Sequence, residues 1–173
     1  LCTRGYKREL DIDNAVHTVS FKGEKRTAFA SNPDDVVVYK SESEKPINIT
    51  LEAKSKIKSK TVVKDGYLCL CGNAPDISMP SYLGKIPDAV ISGDKGMAFC
   101  LAVKVVTDGE VVYSDKKITV KNSTSTVLLA TTATGFIAYD KMPETDREVV
   151  RKQCIKKLSK VTADYDKLLK RHV

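Results

Sequence analysis

Thiols come first among the side chains that could do chemistry. The chain has five, Cys2, Cys69, Cys71, Cys100 and Cys154. Cys69 and Cys71 flank Leu70, and on a strand that spacing sends both side chains to one face, near enough for a soft metal or a redox pair. A zinc site needs two further ligands. His17 and His172 are the only histidines, and no second ligand pair lies near Cys69, so the thiols read as small buried hydrophobes and no metal is expected. An odd cysteine count also argues against a complete disulfide framework. Neither histidine has a carboxylate or nucleophile placed by local spacing to form a Ser-His-Asp or Cys-His machine. Hydrolysis by a carboxylate pair needs two acids facing each other across the scissile bond. The candidates Asp34, Asp35, Asp76, Asp88 and Glu110 stand mostly at turns, where Asp bonds its own backbone, and no spacing sets two of them opposite. Gly93-Asp94-Lys95-Gly96 reads as a turn rather than a phosphate cradle. No Trp is present, and Tyr6, Tyr39, Tyr67, Tyr82, Tyr113 and Tyr139 do not announce an aromatic sugar platform. No catalytic, cofactor-binding or metal-ligating residue is assigned, and no cofactor is expected.

Groups of this kind need a framework, and the composition describes one. The 173 residues are 42% hydrophobic and 29% charged, with a formal charge of +7. That suits a single globular domain large enough to build a core without disulfides or metal. The apolar runs are far below the roughly 20 residues of a membrane-crossing helix. Leu1 to Leu10 lacks an initiator Met, an apolar core and a cleavage pattern, and reads as a cut end. The compartment is therefore open, with free thiols tilting towards a reducing, cytoplasmic one.

From Asn14 to Ile137 the dominant period is two, the mark of half-buried strands. In Ile47 to Lys54 the residues Ile47, Ile49, Leu51 and Ala53 share one face and Asn48, Thr50, Glu52 and Lys54 the other. Further strands are expected at Ala15–Phe21, Lys25–Ala30, Asp35–Lys40, Ile57–Val63, Tyr67–Leu70, Met97–Val106, Glu110–Tyr113, Lys116–Lys121 and Thr126–Thr132. Lys22-Gly23, Asp65-Gly66 and Asp108-Gly109 each supply a glycine for a positive-φ turn between sequential antiparallel strands. Gly72 to Gly96, with three prolines, reads as one long loop.

After Pro143 the period becomes helical. Val150, Cys154, Leu158, Val161, Tyr165, Leu168 and His172 form one stripe, and Thr145 with Glu148 forms a capping-box pattern. One unbroken helix from near Asp146 is expected, about 40 Å long. Residues 151–173 carry eight basic and two acidic side chains, or +6 of the total +7. Those charges lack the Gly and aromatic interleaving of single-strand binders, so no nucleic-acid partner is expected. The fold expected is mostly β: an antiparallel β-sandwich over residues 1–143, then a C-terminal amphipathic linker helix over 144–173 that leads away while docking its stripe on a sheet face.

Several segments carry more. Tyr6-Lys7-Arg8-Glu9-Leu10-Asp11-Ile12-Asp13-Asn14-Ala15 and Ala28-Phe29-Ala30-Ser31-Asn32-Pro33-Asp34-Asp35-Val36-Val37-Val38 resemble two stretches of glycoside hydrolase family 95, the α-L-fucosidases. The resemblance continues through Gly72-Asn73-Ala74-Pro75, Lys95-Gly96-Met97-Ala98-Phe99, the run from Val127 to Phe136, and Tyr165, Leu168, Leu169, Lys170 and His172. Lys25-Arg26-Thr27-Ala28 stands where the family has an Arg-Glu pair, which marks a divergent member. The resemblance implies the later part of an N-terminal β-sandwich and the start of the linker. In the family a barrel of paired helices holds the catalytic carboxylates, so the chain is expected to be non-catalytic and to brace that barrel. The partners implied are the remainder of a parent chain and, through it, a carbohydrate, hydrolysed with inversion of α-linked L-fucose or a related sugar. A sandwich acting alone in carbohydrate binding or cell-surface interaction is the alternative expectation.

Overall fold

A computed structural model describes residues 5–93 and 95–173, with the side chain of Ser81 left aside. Cys2, Leu1 and Asp94 of the sequence reading lie outside the described residues. Eleven strands and two helices are seen among these: β1 Lys7–Asp11, β2 Val16–Phe21, β3 Glu24–Ser31, β4 Val36–Glu52, β5 Ser59–Lys64, β6 Tyr67–Asn73, β7 Ile77–Ser78, β8 Val90–Ile91, β9 Ala98–Thr107, β10 Glu110–Tyr113, β11 Lys117–Thr134, α1 Arg147–Lys160 and α2 Tyr165–His172. The main sheet runs β1-β2-β3-β4-β11-β9-β6-β5, with β10 added to β11, and every pairing is antiparallel.

The glycine turns behave as expected at two of three places. Lys22-Gly23 and Asp65-Gly66 both have positive φ at each residue, the tight hairpin geometry that matches strand twist. Asp108-Gly109 does not. It joins β9 to β10, which pair with β11 rather than with each other, and Gly109 is needed because a Cβ there would lie 2.4 Å from the Lys121 carbonyl. The Gly72–Gly96 segment is less featureless than its composition suggested, since β7 and β8 form a small ribbon with a 3-10 turn at Ser81–Leu83 between them.

β4 and β11 each unite two segments that the sequence separates. In β4 the buried apolar positions are Val36 and Val38 early and Leu51 late, so the burial parity changes along one continuous strand. β11 does the same, with Ile118 and Val120 followed by Val127 and Leu129. Its register against β4 shifts between Val120 and Ser123 and again before Ser125, and these bulges bend the pair. The late half of β4 and the early half of β11, with β10, thereby fold over β5, β6 and β9. Leu51, Ile118 and Val120 meet Leu68, Val103 and Val105 in between, which gives the molecule its sandwich-like second layer.

The other sheet face is covered by the helices. Val150, Cys154, Leu158 and Leu168 are completely buried over Phe29, Val38, Leu129, Cys69 and Cys100 in one core. The predicted stripe is thus the docked face, but the helix is not unbroken. It stops at Lys160 and restarts at Tyr165, where the Asp164 carboxylate accepts the Asp166 and Lys167 N–H groups as a new N-cap. The first cap also differs from the Thr145–Glu148 box: Asp146 accepts the Glu148 N–H, and Glu144 accepts that of Asp146. At the C-terminus His172 stacks on Phe29 with ring centroids 4.7 Å apart and bonds the Asn14 carbonyl, so the helical segment lies across the sheet rather than leading away from it.

Candidate functional site

The strand ends of β6, β9 and β11 pin two loops into one platform. Asn73, buried at the end of β6, donates to the Gly96 and Thr145 carbonyls and accepts from Arg147 Nε. Gly135 N–H donates to the Ala98 carbonyl, Ala98 N–H to the Glu144 carbonyl, and Glu144 N–H back to the Gly135 carbonyl. A Cβ on Gly135 would sit 2.0 Å from the Glu144 carbonyl, so only glycine permits that approach. Asp76 closes the longer loop by accepting the Lys95 and Gly96 N–H groups. Backbones held this firmly present apolar side chains outward, among them Met79, Tyr82, Phe136, Tyr139 and Met142, with Tyr139 97% exposed.

Beside this platform a cleft of about 410 Å³ separates the β5 edge from the first turns of α1. Lys60, Val62, Asn73, Arg147, Glu148 and Arg151 are among its walls. Arg151 is buried and its Nη2 donates to the Glu148 carboxylate, which also lies 4.0 Å from Lys64 Nζ. A wider cleft of about 770 Å³ opens where the two layers meet, with Lys54, Lys60, Lys116 and Lys117 facing Glu52 and Asp115.

The sequence-derived candidates lie in several separate parts of the fold. Cys69 and Cys71 share one face as predicted, and the fold adds Cys100, opposite Cys71, and Cys154 from α1 to the same buried cluster. Hydrogen bonds with Cys154, Cys69 and Cys71, together with burial, push the Cys100 thiol far above its ordinary range. That favours the neutral, inert form. Among the described residues no group of three or more His, Cys, Asp or Glu is arranged to hold a metal. His17 accepts from Arg8 Nε on an outer strand. Asp34 accepts from Ser31 and pairs with Arg171, and Asp35 pairs with Lys157, so both tie the β3–β4 turn to the helices. Asp76 closes its loop, Asp88 is an exposed positive-φ residue, and Glu110 is exposed on β10 opposite Lys121. Arg151 and Asn73 escaped attention as site residues. The signal for Arg151 was a guanidinium next to the apolar stripe at Val150, three residues after Glu148.

The fold is an antiparallel, sandwich-like β-domain with helices packed on one sheet face. Residues 2–139 match the family described as "Glycosyl hydrolase family 65, N-terminal domain", and the chain belongs to that family. It is 29% identical to "Alpha-L-fucosidase 2" of Arabidopsis thaliana over 97% of its own length, which supports the fucosidase-like resemblance drawn from the sequence. A "Putative kojibiose phosphorylase from human microbiome" shares the fold, with a TM-score of 0.50 and 10% identity over 96% of this chain. The chain spans 22% of the length of each. It is an N-terminal domain of glycoside hydrolase-like proteins. No helix among the described residues is long and apolar enough to cross a membrane.

Proposed function

We propose that this chain is the non-catalytic β-sandwich of a larger glycoside hydrolase and braces a helical barrel that carries the acid and base. The observation that carries this reading is the loop platform: exposed aromatic and apolar groups on a backbone fixed by Asn73, Glu144 and Gly135. Rigid loops cost little order on docking, and an apolar surface gains by being covered. The solvent side of α1, with Lys152, Lys156 and Lys160 exposed, adds a basic rim that suits an acidic neighbour. In this reading residues 1–143 form the sandwich and 144–173, docked across its sheet, the linker that stands between it and the barrel.

The relative named as a fucosidase makes an α-L-fucoside the substrate to test, with hydrolysis proceeding by inversion between two carboxylates of the barrel. The chain alone releases no fucose from an aryl α-L-fucoside, whereas a polypeptide joining it to the barrel does. There, Tyr82→Ser with Tyr139→Ser lowers the temperature at which activity is lost. Fucose release by the 173-residue chain itself overturns the reading. Tight binding of fucosylated glycans by the chain alone would favour a stand-alone module.

A further inference from the structure

We propose that the cleft between the β5 edge and the start of α1 is a binding site for a small oxyanion, a carboxylate or a phosphate, received by Arg151. Arg151 is 3% exposed, and only its Nη2 has an acceptor, the Glu148 carboxylate. Nε and Nη1 are both buried without one. A guanidinium keeps its charge at any physiological pH, so it cannot escape the cost of burial by losing a proton. Buried donors of this kind are nearly always paired, and two left over on one group mark a missing acceptor. Arg151 forms part of the wall of the 410 Å³ cleft, but its Nε and Nη1 are closed to solvent, so an acceptor in the cleft reaches the guanidinium only as the Glu148 side chain moves aside.

The surroundings favour an anion. Lys60 and Arg147 stand on the same walls as Arg151. Among the described residues of these walls the two acids are already engaged: Asp146 caps the Glu148 N–H, and Glu148 is shared by Arg151 and Lys64. α1 has 14 residues, and its positive dipole end faces the cleft through Asp146, Arg147 and Glu148. The Glu148 side chain is 60% exposed and can turn outward, which opens the Nε and Nη2 edge of Arg151 to a two-oxygen grip in which the anion answers the bare Nε and replaces Glu148 at Nη2.

The test is a titration of the full chain, labelled with nitrogen-15, with sodium phosphate and separately with sodium acetate at constant ionic strength, read at the Arg151 Nε–H resonance. A saturable shift is expected, and Arg151→Lys weakens it by about tenfold because an ammonium cannot reproduce the fork. Lys60→Gln, at the exposed rim, weakens it by about threefold through lost field alone. Saturation by phosphate only assigns a tetrahedral ligand, by acetate only a carboxylate, and by both a general oxyanion site. No saturation by either anion, or equal affinity in Arg151→Lys, overturns the proposal. If Arg151→Lys does not fold, Lys60→Gln decides, an unchanged affinity being the overturning result.

Discussion

Leu158 tests whether the C-terminal helices are part of the domain or an attachment to it. Its side chain is completely buried in the core shared by α1 and the sheet, with Val150 and Cys154 one turn or two before it and Leu168 beyond the helix break. Leu158→Ala removes buried methyl groups from a site walled on both sides, so the cavity cannot collapse without moving the sheet. The cost is about 2.7–5 kcal/mol. Against a total of about 5–15 kcal/mol for a domain, that is a large share. At roughly 2–4 °C per kcal/mol for a chain of this size, the midpoint falls by about 5–20 °C. Urea unfolding followed by helix and by sheet signals should show one coincident transition, displaced to lower urea with an unchanged slope. A loss below about 1 kcal/mol, small against the core range, would refute the reasoning. So would an early loss of helix signal with the sheet transition left in place, because the helices would then peel off as a separate unit.

Two further outcomes are specific to local chemistry. The Asp108 carboxyl is held well below its usual range by the Ser123 and Thr124 hydroxyls and the Ser125 N–H, so its folded pKa lies under its unfolded value of about 3.9. The bonds therefore stabilise fully above that pH and are lost as pH falls through the folded pKa. The difference in urea midpoint between the native chain and Asp108→Ala should be widest near neutrality and close in acid; a difference constant with pH would contradict the assignment. Cys69, Cys71, Cys100 and Cys154 are all buried and free, so alkylation mapped by mass spectrometry should mark them only in urea. Rapid labelling of Cys154 in the native chain would mean that α1 lifts from the sheet.

Strand positions were legible where alternate residues are buried, as in the later part of β3 and the first half of β9. β4 and β11 were not, because alternation is read from one side only. When the sheet folds over, burial passes from Val38 to Leu51 and from Ile118 to Leu129 by a change of parity, and a continuous strand looks like two. β1 was invisible for the opposite reason: Lys7 to Asp11 are all exposed, so only backbone pairing with β2 makes them a strand. The helix break was hidden by a stripe whose spacing survives it. Val161 and Tyr165 lie four apart and both reach the core, yet the backbone turns extended at Val161, which ends one helix, and Asp164 caps the next.

The chemistry was less legible than the fold, and charge shows why. Summed along the chain, nearly all the positive excess falls in residues 151–173, which made the remainder look neutral. In space, the turn before β5 and the turn before β11 bring Lys54, Lys60, Lys116 and Lys117 around one cleft, and β5 passes Lys60 on to the cleft that holds Arg147 and Arg151. A sum over sequence cannot see a field that depends on which turns meet. The same holds for Arg151. Three residues after Glu148 it reads as half of an exposed helical ion pair, worth a few tenths of a kcal/mol. Buried against β5 and β6 with two donors unanswered, the same pair becomes a charge that needs a partner. The difference between those readings is made entirely by docking α1 on the sheet. The stripe led by Val150 that fixes the helix also places the neighbouring guanidinium in the cleft wall.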